Sequence, residues 1–136
     1  MKRLLIVSLI GIGIAITALL MLTDVIPPGA LTHTRMFVTK ERILEYARTN
    51  NHLPADLSVL PLHLEKDCSV VDGWGRKIIY EVDSSGIVTL KSLGRDGNAG
   101  GAGEDADIIC GFRSRDAQGK WSDPLCNWDF DSFSKR

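Results

Sequence analysis

The chain has 136 residues, 44% of them hydrophobic and 24% charged, which is the length and composition of one folded domain rather than of a disordered segment. Its formal net charge of −1 argues against the basic surface that nucleic acid requires. We therefore expect no nucleic acid among its partners.

The N-terminal segment is predicted to enter a membrane. Lys2 and Arg3 precede an uncharged run over residues 4–23. A helix of about 20 apolar residues, rising about 1.5 Å per residue, is long enough to cross the hydrocarbon layer. Basic residues before the run favour a single-pass anchor with an exported C-terminal domain. A cleaved signal peptide is the alternative for residues 1–26, although its apolar core is usually shorter.

Residues 27–33 are predicted to form a linker, because Pro27, Pro28 and Gly29 disfavour a continuous helix. A second helix is predicted from about Thr34 to Asn50, with apolar residues at helical spacing and charged residues mostly on the other side. The apolar set is Met36, Phe37, Ile43, Leu44 and Ala47, and the charged set is Lys40, Glu41, Arg42, Glu45 and Arg48. We expect this amphipathic helix to pack on a sheet.

The middle of the chain is predicted to change from helix to strands. After a short helical or irregular piece over residues 53–64, residues 77–82 alternate side chains at strand spacing. The turn residues over 83–86 and the β-rich run over 87–93 complete a predicted antiparallel hairpin. A third strand is predicted to begin at Ile108.

Residues 34–112 therefore form the predicted α+β domain, which leaves 113–136 as a C-terminal extension. Cys110 and Cys126 bracket a polar segment with turn residues, so we favour a disulfide between them. Pairing of Cys68 with either of the others is the alternative. In an exported protein, one disulfide and one free thiol is the simplest arrangement of the three cysteines.

The segment over residues 93–108 combines many glycines with the acidic residues Asp96, Glu104, Asp105 and Asp107. Calcium prefers carboxylate and backbone carbonyl oxygens, and glycines let a short chain wrap around an ion. Carboxylates crowded into one loop also repel one another, and a divalent cation relieves that repulsion. The alternative is a glycine-rich connection whose acidic side chains face water.

Two other kinds of loop fit this segment less well. The order of Asp96, Asn98, Gly101 and Asp107 is similar to that of an EF-hand, but the flanking segments are predicted strands rather than helices. The glycine spacing is also superficially that of a dinucleotide-binding loop. It lacks the strand-to-helix context, and its acidic residues would repel an anionic ligand.

Several short motifs follow one another in a fixed order over about half of the chain. They are Asp72-Gly73-Trp74-Gly75-Arg76, Tyr80, Leu90, Ser92-Leu93-Gly94-Arg95-Asp96-Gly97, Gly100-Gly101, Gly103 and Asp105-Ala106-Asp107-Ile108. This order resembles the C-terminal domain of the major pseudopilin of type II secretion systems. That family has an Asp-Pro-Trp-Gly turn, a hairpin and a Ser-Leu-Gly-x-Asp-Gly-x-x-Gly-Gly-x-Gly-x-x-Ala-Asp-Ile loop.

The resemblance implies a pilin-like fold, with an N-terminal transmembrane helix, an amphipathic helix packed on a small antiparallel sheet, and a calcium-binding loop. It implies that Asp96, Asp105 and Asp107 supply side-chain ligands to calcium, helped by the backbone carbonyls of Leu93 or Arg95. It also implies protein partners, namely a homo-oligomeric filament or other pseudopilins. The implied location is the bacterial inner membrane, crossed once, with the C-terminal domain in the periplasm.

The N-terminal region differs from the family pattern. A pseudopilin has a Gly-Phe-Thr-Leu-x-Glu processing site followed by one long helix. Here neither Gly11 nor Gly13 is followed by Phe, and no Glu precedes Glu41. The predicted function is a calcium-stabilised, pseudopilin-like structural or assembly protein. The alternative is a membrane-anchored periplasmic protein-binding module that reuses the pseudopilin domain.

Catalysis is not expected. His33, His52 and His63 lie in separate local settings, and Ser92 has no histidine near it in the sequence. The adjacent carboxylates of Glu104 and Asp105 in a glycine-rich loop favour metal binding over hydrolysis. We therefore predict that the protein is not an enzyme.

Overall fold

The computed structural model describes residues 26–122 and 125–128. The predicted anchor or signal segment, with its apolar run over residues 4–23, lies outside the described residues. Within the described part of the chain, no helix combines the length and the apolar character needed to cross a bilayer.

The first described element is helix α1, which spans Pro28–Asn50. It begins before the predicted start at Thr34, so residues 28–33 of the predicted linker are helical. Proline is tolerated in the first helical turn, because a backbone N–H there has no acceptor within the helix. Asn51 follows the helix in the left-handed conformation, with φ 61°, which is a common way to end a helix.

The two sides of α1 differ in part from the prediction. Met36, Ile43, Leu44 and Ala47 are buried as expected. Phe37, however, is 42% exposed, whereas Lys40 and Arg42 are each only 2% exposed. The chain after the helix folds back over this side, and the Arg42 guanidinium donates hydrogen bonds of 2.7 Å and 2.8 Å to the carbonyls of Pro61 and Cys68. Arg42 is therefore buried, and its hydrogen bonds connect α1 to the segment that follows it.

The sheet has three antiparallel strands in the order β1-β2-β3. They are β1 (Ile79–Val82), β2 (Ile87–Ser92) and β3 (Ile108–Arg113). Leu90 at the centre of β2 pairs with Tyr80 of β1 and with Cys110 of β3. The predicted hairpin and the predicted third strand are thus confirmed.

One face of the sheet packs with α1 around a hydrophobic core. A short 3-10 helix, Leu57–Val59, lies in the segment that was expected to be helical or irregular and brings Leu57 and Leu60 to the core. The core residues are Met36, Ile43, Leu44, Leu57, Leu60, Ile78, Val88, Leu90, Cys110 and Phe112. This helix-on-sheet arrangement is the predicted α+β fold.

A tight turn before β1 connects the start of α1 to the sheet. The backbone N–H of Gly73 donates a 2.8 Å hydrogen bond to the Thr32 hydroxyl. A Cβ on Gly73 would lie only 1.9 Å from the carbonyl oxygen of Pro28, so no other residue fits without movement of the backbone. Glycine at position 73 therefore allows the turn to pack directly against the first turn of α1.

The C-terminal extension is tied to the edge strand β3. Cys110 and Cys126 form a disulfide, which confirms the favoured pairing, and Cys68 is a free thiol. Next to the disulfide, Gly111 and Asn127 exchange backbone hydrogen bonds of 3.0 Å and 2.9 Å. The extension thus forms a single antiparallel β-bridge with β3.

Candidate functional site

The glycine-rich loop over residues 93–107 connects β2 to β3. Its two ends are held together because Ser92 pairs with Ile108 in the sheet register. Of the predicted carbonyl ligands, Leu93 is the first residue of the loop and Arg95 lies in the turn over residues 94–97. Asp105 ends a short 3-10 helix, Gly103–Asp105, and Asp107 immediately precedes β3. The loop therefore begins and ends at the same end of the paired strands β2 and β3.

Two glycines allow the loop to close on itself. Gly94 has φ +64° and Gly101 has φ +84°, in the left-handed region that favours glycine. A Cβ on Gly94 would lie 2.6 Å from the carbonyl carbon of Asp105, and a Cβ on Gly101 would lie 2.5 Å from the carbonyl oxygen of that residue. The two ends of the loop thus pack backbone against backbone.

Arg95 joins the two halves of the loop through its side chain. Its Nε and Nη2 donate to the two carboxylate oxygens of Asp105 at 2.9 Å and 3.1 Å, and its Nη1 donates to Glu104 Oε2 at 2.9 Å. Its backbone N–H also donates to the Glu104 carbonyl at 2.8 Å. Hydrogen bonding to Asp105, with the negative charges of both acidic residues, raises the pKa of Arg95 above its ordinary value.

Asp107 is the most enclosed of the predicted ligands. Its side chain is 15% exposed, and its Oδ2 lies 2.9 Å from Nζ of Lys91. Its Oδ1 is buried and accepts no hydrogen bond. A buried carboxylate oxygen without a partner is unusual in a folded protein and is a position where a cation would be favourable.

Asp96 lies on the solvent side of the loop. Its Oδ1 accepts a 2.9 Å hydrogen bond from the backbone N–H of Asn98, and this bond lowers the pKa of Asp96 below its ordinary value. Nearby, Nη2 of Arg76 donates to the carbonyl of Gly94. Arg76 therefore connects the turn before β1 to the beginning of the loop.

The donor chemistry of the loop fits calcium, because Asp96, Asp105 and Asp107 offer carboxylate oxygens within one glycine-rich segment. The unpartnered Oδ1 of Asp107 fits the same ion. In the described parts of the chain, however, no three His, Cys, Asp or Glu side chains converge into a group that could hold a metal. Both oxygens of Asp105 are engaged by Arg95, so that carboxylate has to exchange partners before it can bind an ion.

The basic residues around the loop were not identified from the sequence. Arg95 was predicted to contribute only its carbonyl, and Lys91 and Arg76 were assigned no role. Lys91 pairs with Ile109 across the sheet, so Asp107 is its diagonal neighbour and lies within reach of its side chain. That contact is readable from the strand register, but the sequence does not show the register directly.

The fold and the loop together define the class of the protein. A helix packed on a three-stranded antiparallel sheet, with a long glycine-rich loop between the last two strands, is a pilin-like α+β domain. The family model described as "Type II secretion system (T2SS), protein G" matches residues 43–111, just over half of the chain. The protein therefore belongs to this family of major pseudopilins, as the motif order predicted. Comparisons with curated proteins and with solved structures gave no significant match.

The matched region contains the C-terminal third of α1 (residues 43–50), the hairpin and the whole loop over residues 93–107. The family is structural rather than catalytic. Its members assemble with other pseudopilins and are associated with the cell envelope.

Proposed function

We propose that this protein is a pseudopilin-like structural or assembly subunit of a type II secretion or related pilus-like system, and that calcium bound in the loop over residues 93–107 stabilises its domain. The family match supports the first part, because it includes the loop and nearly all of the strands beside it. The chemistry of the loop supports the second part.

The proposed role of calcium is to hold the connection between β2 and β3 in one conformation. Asp96, Asp105 and Asp107 are the proposed side-chain ligands, with the carbonyls of Leu93 or Arg95 as helpers. The observation in favour is the buried Oδ1 of Asp107, which has no hydrogen-bond partner. An ion that binds only the folded loop stabilises the domain by mass action.

The proposed location is the bacterial inner membrane, with residues 1–26 as a single-pass anchor or signal segment and the domain in the periplasm. Lys2 and Arg3 before the apolar run favour this orientation. The Cys110–Cys126 disulfide is in keeping with an oxidising compartment. The N-terminal sequence of the mature protein tests this proposal: an intact apolar run is expected, and its removal would contradict a retained anchor.

Chemical crosslinking in intact membranes tests assembly. A filament subunit is expected to give a ladder of bands at multiples of the chain mass, or discrete products with other pseudopilins of the same system. The matched control is the same chain with residues 1–26 removed and exported by a cleavable signal, which should lose the ladder. If crosslinking in a complete secretion system yields the monomer alone, the proposal of a structural subunit is wrong.

One observation favours a second candidate, a membrane-anchored module that binds a single periplasmic protein. Pro27 has φ −57° and ψ 141°, so the backbone just before α1 is not helical. Helix α1 therefore begins at Pro28, whereas the family pattern described above has one continuous helix at this place. One discrete crosslinked product containing an unrelated protein, without a ladder, would favour this candidate over the filament subunit.

A further inference from the structure

Three acidic side chains of the loop have basic partners from the chain itself. Arg95 contacts Glu104 at 2.9 Å and both carboxylate oxygens of Asp105 at 2.9 Å and 3.1 Å. Lys91 contacts Asp107 at 2.9 Å. The repulsion that would otherwise open this acidic loop is therefore offset by cations that the sequence supplies.

Arg95 is the basic residue best placed to replace an ion. A planar guanidinium matches a carboxylate with two parallel hydrogen bonds, and Arg95 makes this bidentate contact with Asp105. The side chain of Arg95 is 57% exposed, so the contact lies in water and can open without burying an unpaired charge. The contact is thus specific in geometry and easily exchanged.

We infer that Arg95 is a built-in counter-cation that competes with calcium for the carboxylate of Asp105. This inference rests on the proposed calcium site and concerns its regulation. Without calcium, the guanidinium neutralises Asp105 and Glu104 and keeps the loop closed. With calcium, Asp105 exchanges Arg95 for the ion, and the apparent affinity for calcium is reduced by the free energy of the contact that is lost.

The competition makes a prediction that a purely structural ion pair does not. Replacing Arg95 should weaken the domain when calcium is absent, because the loop acids then lack a partner. The same replacement should strengthen calcium binding, because the ion no longer displaces a guanidinium. A residue that only stabilised the fold would lower stability under both conditions and leave calcium affinity unchanged.

The test is calcium titration of the purified full-length chain in detergent by isothermal calorimetry, for the wild type and for Arg95→Gln. We expect a dissociation constant about two- to fivefold lower in Arg95→Gln, as estimated from the usual strength of exposed ion pairs. Lys66→Gln is the matched control, since Lys66 also pairs with an exposed glutamate, Glu41 at 2.8 Å, but lies outside the loop. Its calcium affinity should equal that of the wild type.

Equal or weaker calcium binding by Arg95→Gln, with clear binding by the wild type, would overturn the competition while leaving the proposed calcium site intact. No binding by either protein would overturn both. If Arg95→Gln fails to fold in chelator, Arg95→Lys decides the matter, because it keeps the charge but loses the bidentate geometry. Its dissociation constant should then lie below that of the wild type, and an unchanged value would contradict the inference.

Discussion

The hydroxyl of Ser92 donates a 2.7 Å hydrogen bond to Oδ2 of Asp72, and both side chains are only 1% exposed. Ser92 is the last residue of β2, where the glycine-rich loop begins. The other oxygen of Asp72 accepts hydrogen bonds from the backbone N–H groups of Trp74 and Arg76 at 3.0 Å and 2.9 Å. One buried carboxylate therefore fixes both the turn before β1 and the start of the loop.

Asp72→Ala is expected to lower the free energy of unfolding by about 2–4 kcal/mol, because each buried donor left without an acceptor costs about 1–3 kcal/mol. Urea denaturation followed by tryptophan fluorescence measures the change. Asp67→Ala is the control: Asp67 pairs with Arg35, but its side chain is 42% exposed, so a loss below about 1 kcal/mol is expected. Equal losses in the two variants would show that Asp72 does not anchor the turn.

Gly94→Ala is expected to destabilise the domain by about 2–4 kcal/mol, because strain at positive φ adds to a clash with the Asp105 backbone. Gly103→Ala separates the two effects. Gly103 has φ +61°, close to the +64° of Gly94, but a Cβ there meets nothing within 4 Å. That control should lose only about 1–2 kcal/mol. If thermal unfolding shows the same loss of stability for both variants, the close approach of Gly94 to the Asp105 backbone does not contribute to stability.

The main elements could be predicted because their signals are local. Helical spacing of Met36, Ile43 and Leu44 predicted a helix with these residues inward, and they are buried. Alternation over residues 77–82 and the turn residues over 83–86 predicted the hairpin. The pairing of the cysteines was favoured because Cys110 and Cys126 bracket one segment, and the structure contains that disulfide.

The remaining features depend on contacts between distant parts of the chain. Pro28 was taken to interrupt a helix, but it opens α1, and proline is compatible with either position. Arg42 was assigned to the solvated side of the helix, yet it is buried by the segment that carries Pro61. The contacts of Lys91 and Arg95 with the loop acids require the strand register and the folded loop, which no local pattern reveals. Whether the loop acids bind calcium stays a prediction.

Reduction of the Cys110–Cys126 disulfide is expected to lower the free energy of unfolding by about 3 kcal/mol, the value usual for a closed loop of this length. The two cysteines are 16 positions apart, and Cys110 is fully buried. Urea denaturation with and without reductant measures the effect. Cys68→Ser should keep the full sensitivity to reductant, because Cys68 is a free thiol. An unchanged midpoint in reductant would contradict a stabilising disulfide.

Tyr80 is expected to affect stability at alkaline pH. Burial raises the pKa of Tyr80 to about 12, and its hydroxyl donates a 3.0 Å hydrogen bond to the carbonyl of Pro54. The folded state thus holds the phenolic proton more tightly than the unfolded chain does. This contribution is complete below the ordinary tyrosine pKa of about 10 and is lost as the pH rises towards about 12.

Tyr80→Phe should therefore have a free energy of unfolding about 0.5–1.5 kcal/mol lower at neutral pH, because the hydrogen bond is missing. Its free energy of unfolding should also fall less steeply than that of the wild type between about pH 10 and pH 12. Urea denaturation at a series of pH values, with absorbance of the tyrosinate form as a second readout, measures both effects. Identical alkaline declines in the wild type and the variant would show that Tyr80 does not carry this pH dependence.

Calcium stabilisation of the domain is tested most directly by thermal unfolding of the full-length protein in saturating calcium and in chelator. An ion at about 100 times its dissociation constant adds about 2.7 kcal/mol, so chelation should lower Tm by about 10 °C or more. Asp96→Ala should abolish the response, whereas Asp116→Ala, in a turn outside the loop, should retain it. Superimposable melting curves for the wild type in calcium and in chelator would contradict a calcium site in this loop.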